Sequence, residues 1–72
     1  MNKDTINDVI ADALEVEIEE VQPEKYLEDY ESFDSLVFLT LISLLEDVGV
    51  SLSTNDLQNI KKVEDVYKVA GL

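Results

Sequence analysis

Apolar residues first recur at helical spacing at Ile6, Val9, Ile10, Ala13 and Leu14, the i, i+3, i+4, i+7, i+8 pattern of a single face. Asp4, Asn7, Asp8 and Asp12 fall on the other faces. Asp4 also lies near the N-terminal end, where the helix dipole favours an anion. This pattern predicts a helix over residues 3–15. The period then breaks. Val16, Ile18 and Val21 are irregularly spaced, and Pro23 cannot continue a helix. Residues 16–34 therefore predict a connection that is long for a small domain. Val16, Ile18, Val21, Tyr26, Leu27, Tyr30 and Phe33 supply anchors that can pin it across the helices, with a short helical turn near Tyr26–Tyr30.

The second helix is predicted to begin near Asp34 or Ser35. Asp34 is a good N-cap, because its carboxylate can accept from first-turn amides; Ser32 is a rival for the same role. The helix runs through Val48 and stops at Gly49, a natural C′ residue, with Val50 placed for a hydrophobic contact back onto the last turn. Ser53–Asp56 has the form of a capping box with Asp in place of Glu or Gln. It predicts a short third helix that turns Leu57 and Ile60 inward. Val63, Val66, Tyr67 and Ala70 share a stripe closed by Gly71, which predicts a fourth helix over 63–70. No strand pattern, repeat or low-complexity run interrupts this series. The expected fold is all-α: a small bundle of three main helices and one short one, with a long first loop, forming a single domain over 1–72.

Composition narrows the chemistry. With 72 residues, the chain buries only about 60% of its unfolded surface. It has no cysteine and no histidine, which removes disulfides, Cys- or His-ligated metals and His-dependent catalysis. The first residues, Met1–Asp8, do not form a signal peptide, because no apolar core follows Lys3. No apolar stretch approaches the ~20 residues of a membrane span. The expected location is the cytoplasm.

The net charge is −12, and it is unevenly spread. Residues 4–34 hold twelve acids against Lys25 alone, whereas residues 35–72 hold five acids and three lysines. No basic face exists to release counterions from phosphates, so a nucleic-acid partner is not expected. A basic protein partner, found by electrostatic steering, is the natural complement. Solubility is the plainer use of the same charge. The acids of 15–31 lack the spacing of an EF-hand loop, and no metal site is expected.

Ser35 stands at the threshold of the most apolar segment; no charge occurs between it and Leu45. A helix N-terminus presents free amides and the positive end of the dipole, which suits a phosphate ester. Asp34 beside it could help hold Mg²⁺ during phosphoryl transfer. The same position does not suit a hydrolytic nucleophile, because no base is available to activate it. Ser43 lies mid-helix and Ser53 reads as a cap.

Asp34-Ser35-Leu36, followed by Leu45-Glu46-Asp47 and Gly49-Val50, resembles the acyl carrier protein family. Ala13–Pro23 resembles that family's passage from first helix to long loop, Tyr26–Tyr30 its Phe-x-Glu-Asp-Leu segment, and Val63–Ala70 its last helix. The resemblance implies a carrier, not an enzyme. It implies that a separate phosphopantetheinyl transferase moves 4′-phosphopantetheine from coenzyme A onto Ser35, between Asp34 and Leu36. The arm's thiol then holds an acyl or aminoacyl group as a thioester, presented to acyl-loading and biosynthetic enzymes by a monomeric carrier. An acidic interaction module with the carrier fold and no arm is the alternative.

The chain departs from the family's pattern in three places. Ser32 stands where a glycine is usual and Phe33 where a small residue is frequent. Lys62 replaces a threonine before the last helix. In place of the acids that usually follow the serine are Val37, Phe38 and Thr40; the first acids come at Glu46 and Asp47. Phe38, Leu41, Ile42, Leu45 and Val48 form one stripe, widened by Leu39 and Leu44. A helix apolar on most sides must be buried on most sides or be bound by something. The expectation is an exposed apolar strip near Ser35, involving Val37 with Leu36 or Leu44. Partner docking is then assigned to Val37, Phe38, Thr40, Glu46 and Asp47, with more apolar contact than charge.

Overall fold

A computed structural model describes residues 2–72. Four α-helices follow one another: α1 (Lys3–Leu14), α2 (Ser35–Asp47), α3 (Thr54–Asn59) and α4 (Val63–Val69). The all-α bundle expected from the sequence is the fold observed. Among the described residues there is no strand, only an isolated antiparallel bridge between Tyr26 and Lys62. No described helix is long and apolar enough to cross a membrane.

The core forms where the apolar stripes meet. Ile6, Ile10 and Leu14 of α1, Leu41 and Leu45 of α2, and Val63 and Val66 of α4 are wholly buried. α1 packs chiefly on α2 and secondarily on α4. Tyr67 of α4 donates its hydroxyl to Asn7 Oδ1 of α1, while Lys3 Nζ lies 5.4 Å from the centre of its ring. The remaining tyrosines are covered in the same way, Tyr30 by Lys25 at 4.2 Å and Tyr26 by Lys62 at 5.1 Å. Each such contact contributes about 0.5–1 kcal/mol at an exposed site.

The long connection is ordered by its own anchors. Val21, Leu27 and Tyr30 are buried, and Val16 and Phe33 pack against the core. Ile18 and Tyr26, expected as anchors, are instead exposed. The expected turn near Tyr26–Tyr30 is a 3₁₀ turn at Leu27–Asp29; a further one, Ile18–Glu20, lies where the sequence offered no period. Glu20 closes that turn by accepting from the Glu17 amide at 2.9 Å. The Tyr30 hydroxyl donates to the Glu20 carbonyl and accepts from the Gln22 amide, and burial pushes its pKa above the ordinary tyrosine value. A backbone clasp then ties the connection to the α3–α4 junction. Leu27 N–H donates to the Lys61 carbonyl at 2.9 Å, and Val63 and Glu64 N–H donate to those of Lys25 and Pro23, each at 3.0 Å.

Three helices end in the same way. Val50 N–H donates to the Leu45 carbonyl and Gly49 N–H to that of Glu46, a Schellman motif with Gly49 at φ 95°. α2 therefore ends at Asp47, with Val48 as its cap, and Val50 is buried against the helix. Gly71 serves the same role after α4. At the end of α1 the left-handed residue is Glu15, φ 58°, with Val16 N–H donating to the Ala11 carbonyl. A side chain in that conformation costs roughly 1–2 kcal/mol, and an anion at a helix C-terminus adds a smaller penalty. Glycine loses more backbone entropy on folding, by ~0.5–1 kcal/mol. Glu15→Gly is therefore expected to stabilise the domain by up to ~1 kcal/mol. At ~4–8 °C per kcal/mol in a domain of this size, a thermal melt resolves the gain, and an unchanged or lower Tm refutes it.

The capping box expected before α3 is present: Ser53 Oγ accepts from the Asp56 amide at 3.1 Å and Asp56 accepts from the Ser53 amide at 3.0 Å. Ile60 is buried and Leu57 half-buried, as the sequence predicts. At α4 the cap is carried by Asp65, whose Oδ2 accepts from the amides of Lys62 at 2.9 Å and Lys61 at 3.0 Å. The Lys62 amide bond holds its carboxyl below the ordinary aspartate value, with the Lys61 bond and the nearby lysines adding to it against some burial. A lowered folded pKa contributes stability above the unfolded pKa and loses it as pH falls through the folded one. Asp65→Ala is expected to cost about 1 kcal/mol at neutral pH. The gap from wild type should close as the solution is acidified below the usual aspartate range. A gap independent of pH in chemical denaturation would exclude the carboxylate as its source.

Candidate functional site

The approach to α2 is fixed by short contacts. Ser32 Oγ donates to the Leu14 carbonyl at 2.6 Å, satisfying one of the free carbonyls at the end of α1. This decides between the two candidate caps. Ser32 serves the previous helix, and Asp34 caps α2, its Oδ1 accepting from the Val37 amide at 2.9 Å. It also gives a physical reason for serine at 32, because glycine could not make that bond. Sequence spacing alone gives no sign of a contact between residues so far apart. Phe33 packs edge-on against Phe38, with ring centres 6.1 Å apart at 76°.

Ser35 is the first residue of α2, and its side chain is exposed. The Asp34 cap takes the Val37 amide, so the Ser35 and Leu36 amides at the helix start have no partner within the helix. A phosphate ester on Ser35 Oγ would sit where backbone dipoles favour negative charge. Beside the hydroxyl lies an open groove of about 630 Å³, bordered by Asp34, Glu28, Phe33, Phe38, Leu39 and Ile60. The site is thus an accessible hydroxyl, an anion-favouring helix end and free space next to it. These fit a bulky phosphodiester.

The residues assigned to docking separate into distinct environments. Glu46 and Asp47 are exposed at the far end of α2. Thr40 is exposed, but its hydroxyl donates to the Leu36 carbonyl at 3.0 Å. Val37 and Phe38 are half-buried and pack against the core, as does Leu44. Of the expected strip Leu36 is exposed, at 74%, and its neighbour there is Leu39, at 62%, in place of Val37 and Leu44. The correction follows from direction: α1 covers the side of α2 that carries Leu41 and Leu45, and Val37 and Leu44 lie at its margin. Leu36, Leu39, Thr40 and Ser43 face away, at i, i+3, i+4 and i+7.

Comparison with known proteins agrees with this geometry. The family model described as a phosphopantetheine attachment site matches residues 4–69. An acyl carrier protein of Syntrophus aciditrophicus (strain SB) is 38% identical over 65 residues, covering 89% of this chain and 81% of that protein. The prosthetic group of the family is phosphopantetheine, and its members are carriers, not enzymes. An exposed serine heading a capped, apolar second helix within a match that spans nearly the whole chain makes this chain a member of the acyl carrier protein family.

Proposed function

We propose that Ser35 is the attachment point, and that the chain is a single, monomeric cytoplasmic carrier domain serving a biosynthetic pathway. The observation that carries this reading is the exposed Ser35 hydroxyl at the capped start of α2, with an open groove beside it. In loading, the Ser35 Oγ–P bond forms as the pyrophosphate P–O bond of coenzyme A breaks. 3′,5′-ADP leaves, and the hydroxyl proton passes to a base of the transferase. Ser35 supplies the oxygen, and the helix end accommodates the phosphodiester's charge. Once attached, 4′-phosphopantetheine supplies the thiol that the chain lacks, for a thioester to an acyl group. The test is intact mass after incubation with coenzyme A, Mg²⁺ and a broad-specificity phosphopantetheinyl transferase: one arm's mass is gained, and an unchanged mass refutes the reading.

The transferase, the loading enzymes and the biosynthetic enzymes meet the carrier on the outer face of α2. Leu36 and Leu39 are its apolar contacts, with Thr40 beside them and Glu46 and Asp47 at its far edge. Val37 and Phe38 support this face from beneath. Burying a leucine at an interface is worth ~1.5–3 kcal/mol. Leu36→Ser with Leu39→Ser is therefore expected to raise the KM of loading at least ~10-fold, nearly independently of salt. A KM that is unchanged in the double variant but climbs with ionic strength assigns docking to charge instead.

A further inference from the structure

The chain holds five lysines and neither arginine nor histidine. Four of the lysine amines have a partner. Lys3, Lys25 and Lys62 hold theirs over the rings of Tyr67, Tyr30 and Tyr26, and Lys68 Nζ lies 3.9 Å from the Asp65 carboxylate. Lys61 is the fifth. It is exposed, and among the described residues its amine has neither a ring nor a carboxylate partner. Its backbone is nonetheless fixed: the carbonyl accepts from Leu27 N–H at 2.9 Å, and the amide donates to Asp65 Oδ2 at 3.0 Å. The root of the side chain is therefore held in the clasp while the amine is free to move. Lys61 also lies close to the candidate site. It lines a groove of about 210 Å³ that shares Glu28, Phe33 and Ile60 with the groove beside Ser35.

We infer that Lys61 is a site of self-acylation, its Nζ taking the acyl group from the thioester borne on Ser35. The inference rests on Ser35 as the attachment point. In the step, the unprotonated amine attacks the thioester carbonyl. The N–C bond forms as the C–S bond breaks. The sulfur leaves as a thiolate and takes the proton that the nitrogen gives up. The products are an amide on Lys61 and an arm whose thiol is restored, and no oxidant or co-reactant is needed. The tether supplies the selectivity. Both groups ride on a body whose longest extent is 26 Å, so the amine meets the thioester at an effective concentration on the order of millimolar, without any binding of the acyl group to the protein. The four partnered amines must first leave a ring or a carboxylate. Acylation discharges the carrier and removes the positive charge at residue 61.

The experiment loads the protein from hexanoyl-coenzyme A through a broad-specificity transferase, removes the excess ester and holds the product at mildly alkaline pH. Hydroxylamine then cleaves the remaining thioester and spares amides. Intact mass is expected to show a fraction that keeps the hexanoyl group, and peptide mapping should place it on Lys61 at least ~10-fold above any other lysine. The fraction formed in a given time should not change on ~10-fold dilution, because the step is intramolecular. Lys61→Gln keeps the backbone bonds of the clasp; it should load fully and lose the fraction, whereas Lys62→Gln should retain it. No mass gain on loading overturns the attachment and the acyl transfer with it. Full loading overturns the transfer and leaves the attachment standing if hydroxylamine then removes every acyl group, if the amide is spread evenly over the lysines, or if its yield falls with dilution.

Discussion

The Ser35→Ala variant is expected to gain no mass from coenzyme A under conditions in which the wild type is fully converted. The change is chemically complete and structurally slight. Ser35 is exposed in the first turn of α2, the Asp34 cap uses a different side chain, and alanine is a better helix former. Stability should stay within ~0.5 kcal/mol of wild type, so the loss cannot be ascribed to unfolding. Other nearby hydroxyls cannot replace it easily. Ser32 is bonded to the Leu14 carbonyl, and Thr40 to the Leu36 carbonyl one turn inside the helix. Ser43 is exposed but lies mid-helix, where amides are already paired. A folded Ser35→Ala protein that still gains the arm's mass would move the attachment to another residue.

The second large effect is on stability. Leu45→Ala removes a side chain with no exposed surface from the helix that positions Ser35. Such truncations cost ~2–5 kcal/mol, the lost transfer energy plus the cavity left behind. At roughly 0.05–0.15 kcal/mol per residue the whole domain has only ~4–11 kcal/mol to lose. At ~4–8 °C per kcal/mol, Tm should fall by at least ~8 °C. Leu39→Ala is the control: the residue type and helix are the same, but with 62% exposure the expected change is within ~0.5 kcal/mol. Equal melting temperatures for the two variants would mean that α2 does not pack on α1 through Leu45.

The contrast between Leu45 and Leu39 also marks what could be read from the sequence. Periodicity located the helices to within a residue or so, because amphipathic stripes, the Ser53–Asp56 box and the glycines at 49 and 71 are local signals. The Asp34-Ser35-Leu36 motif pointed to the candidate site through its resemblance to the carrier family. In α2, however, nearly every side is apolar, so the stripe could not say which leucines face out. That was decided by where α1 lies, which kept Leu36 in the exposed strip, added Leu39 and removed Val37 and Leu44. The loop was legible only through its anchors. Ser32's bond to Leu14, the Asp65 cap shared by Lys61 and Lys62, and the Ile18–Glu20 turn all depend on partners that no spacing rule supplies. Glu15 in a left-handed conformation is likewise invisible where glycine would have announced the helix end.

The clasp between Pro23–Leu27 and Lys61–Glu64 has a bearing on biogenesis. Ribosomes deliver the chain from its N-terminus, so α1, the connection and α2 emerge before any partner for the clasp exists. The serine can thus reach the cell's interior while the wall bearing Ile60 is still in the exit tunnel. The wall of the groove beside Ser35 that carries Ile60 is completed only after translation has passed α4.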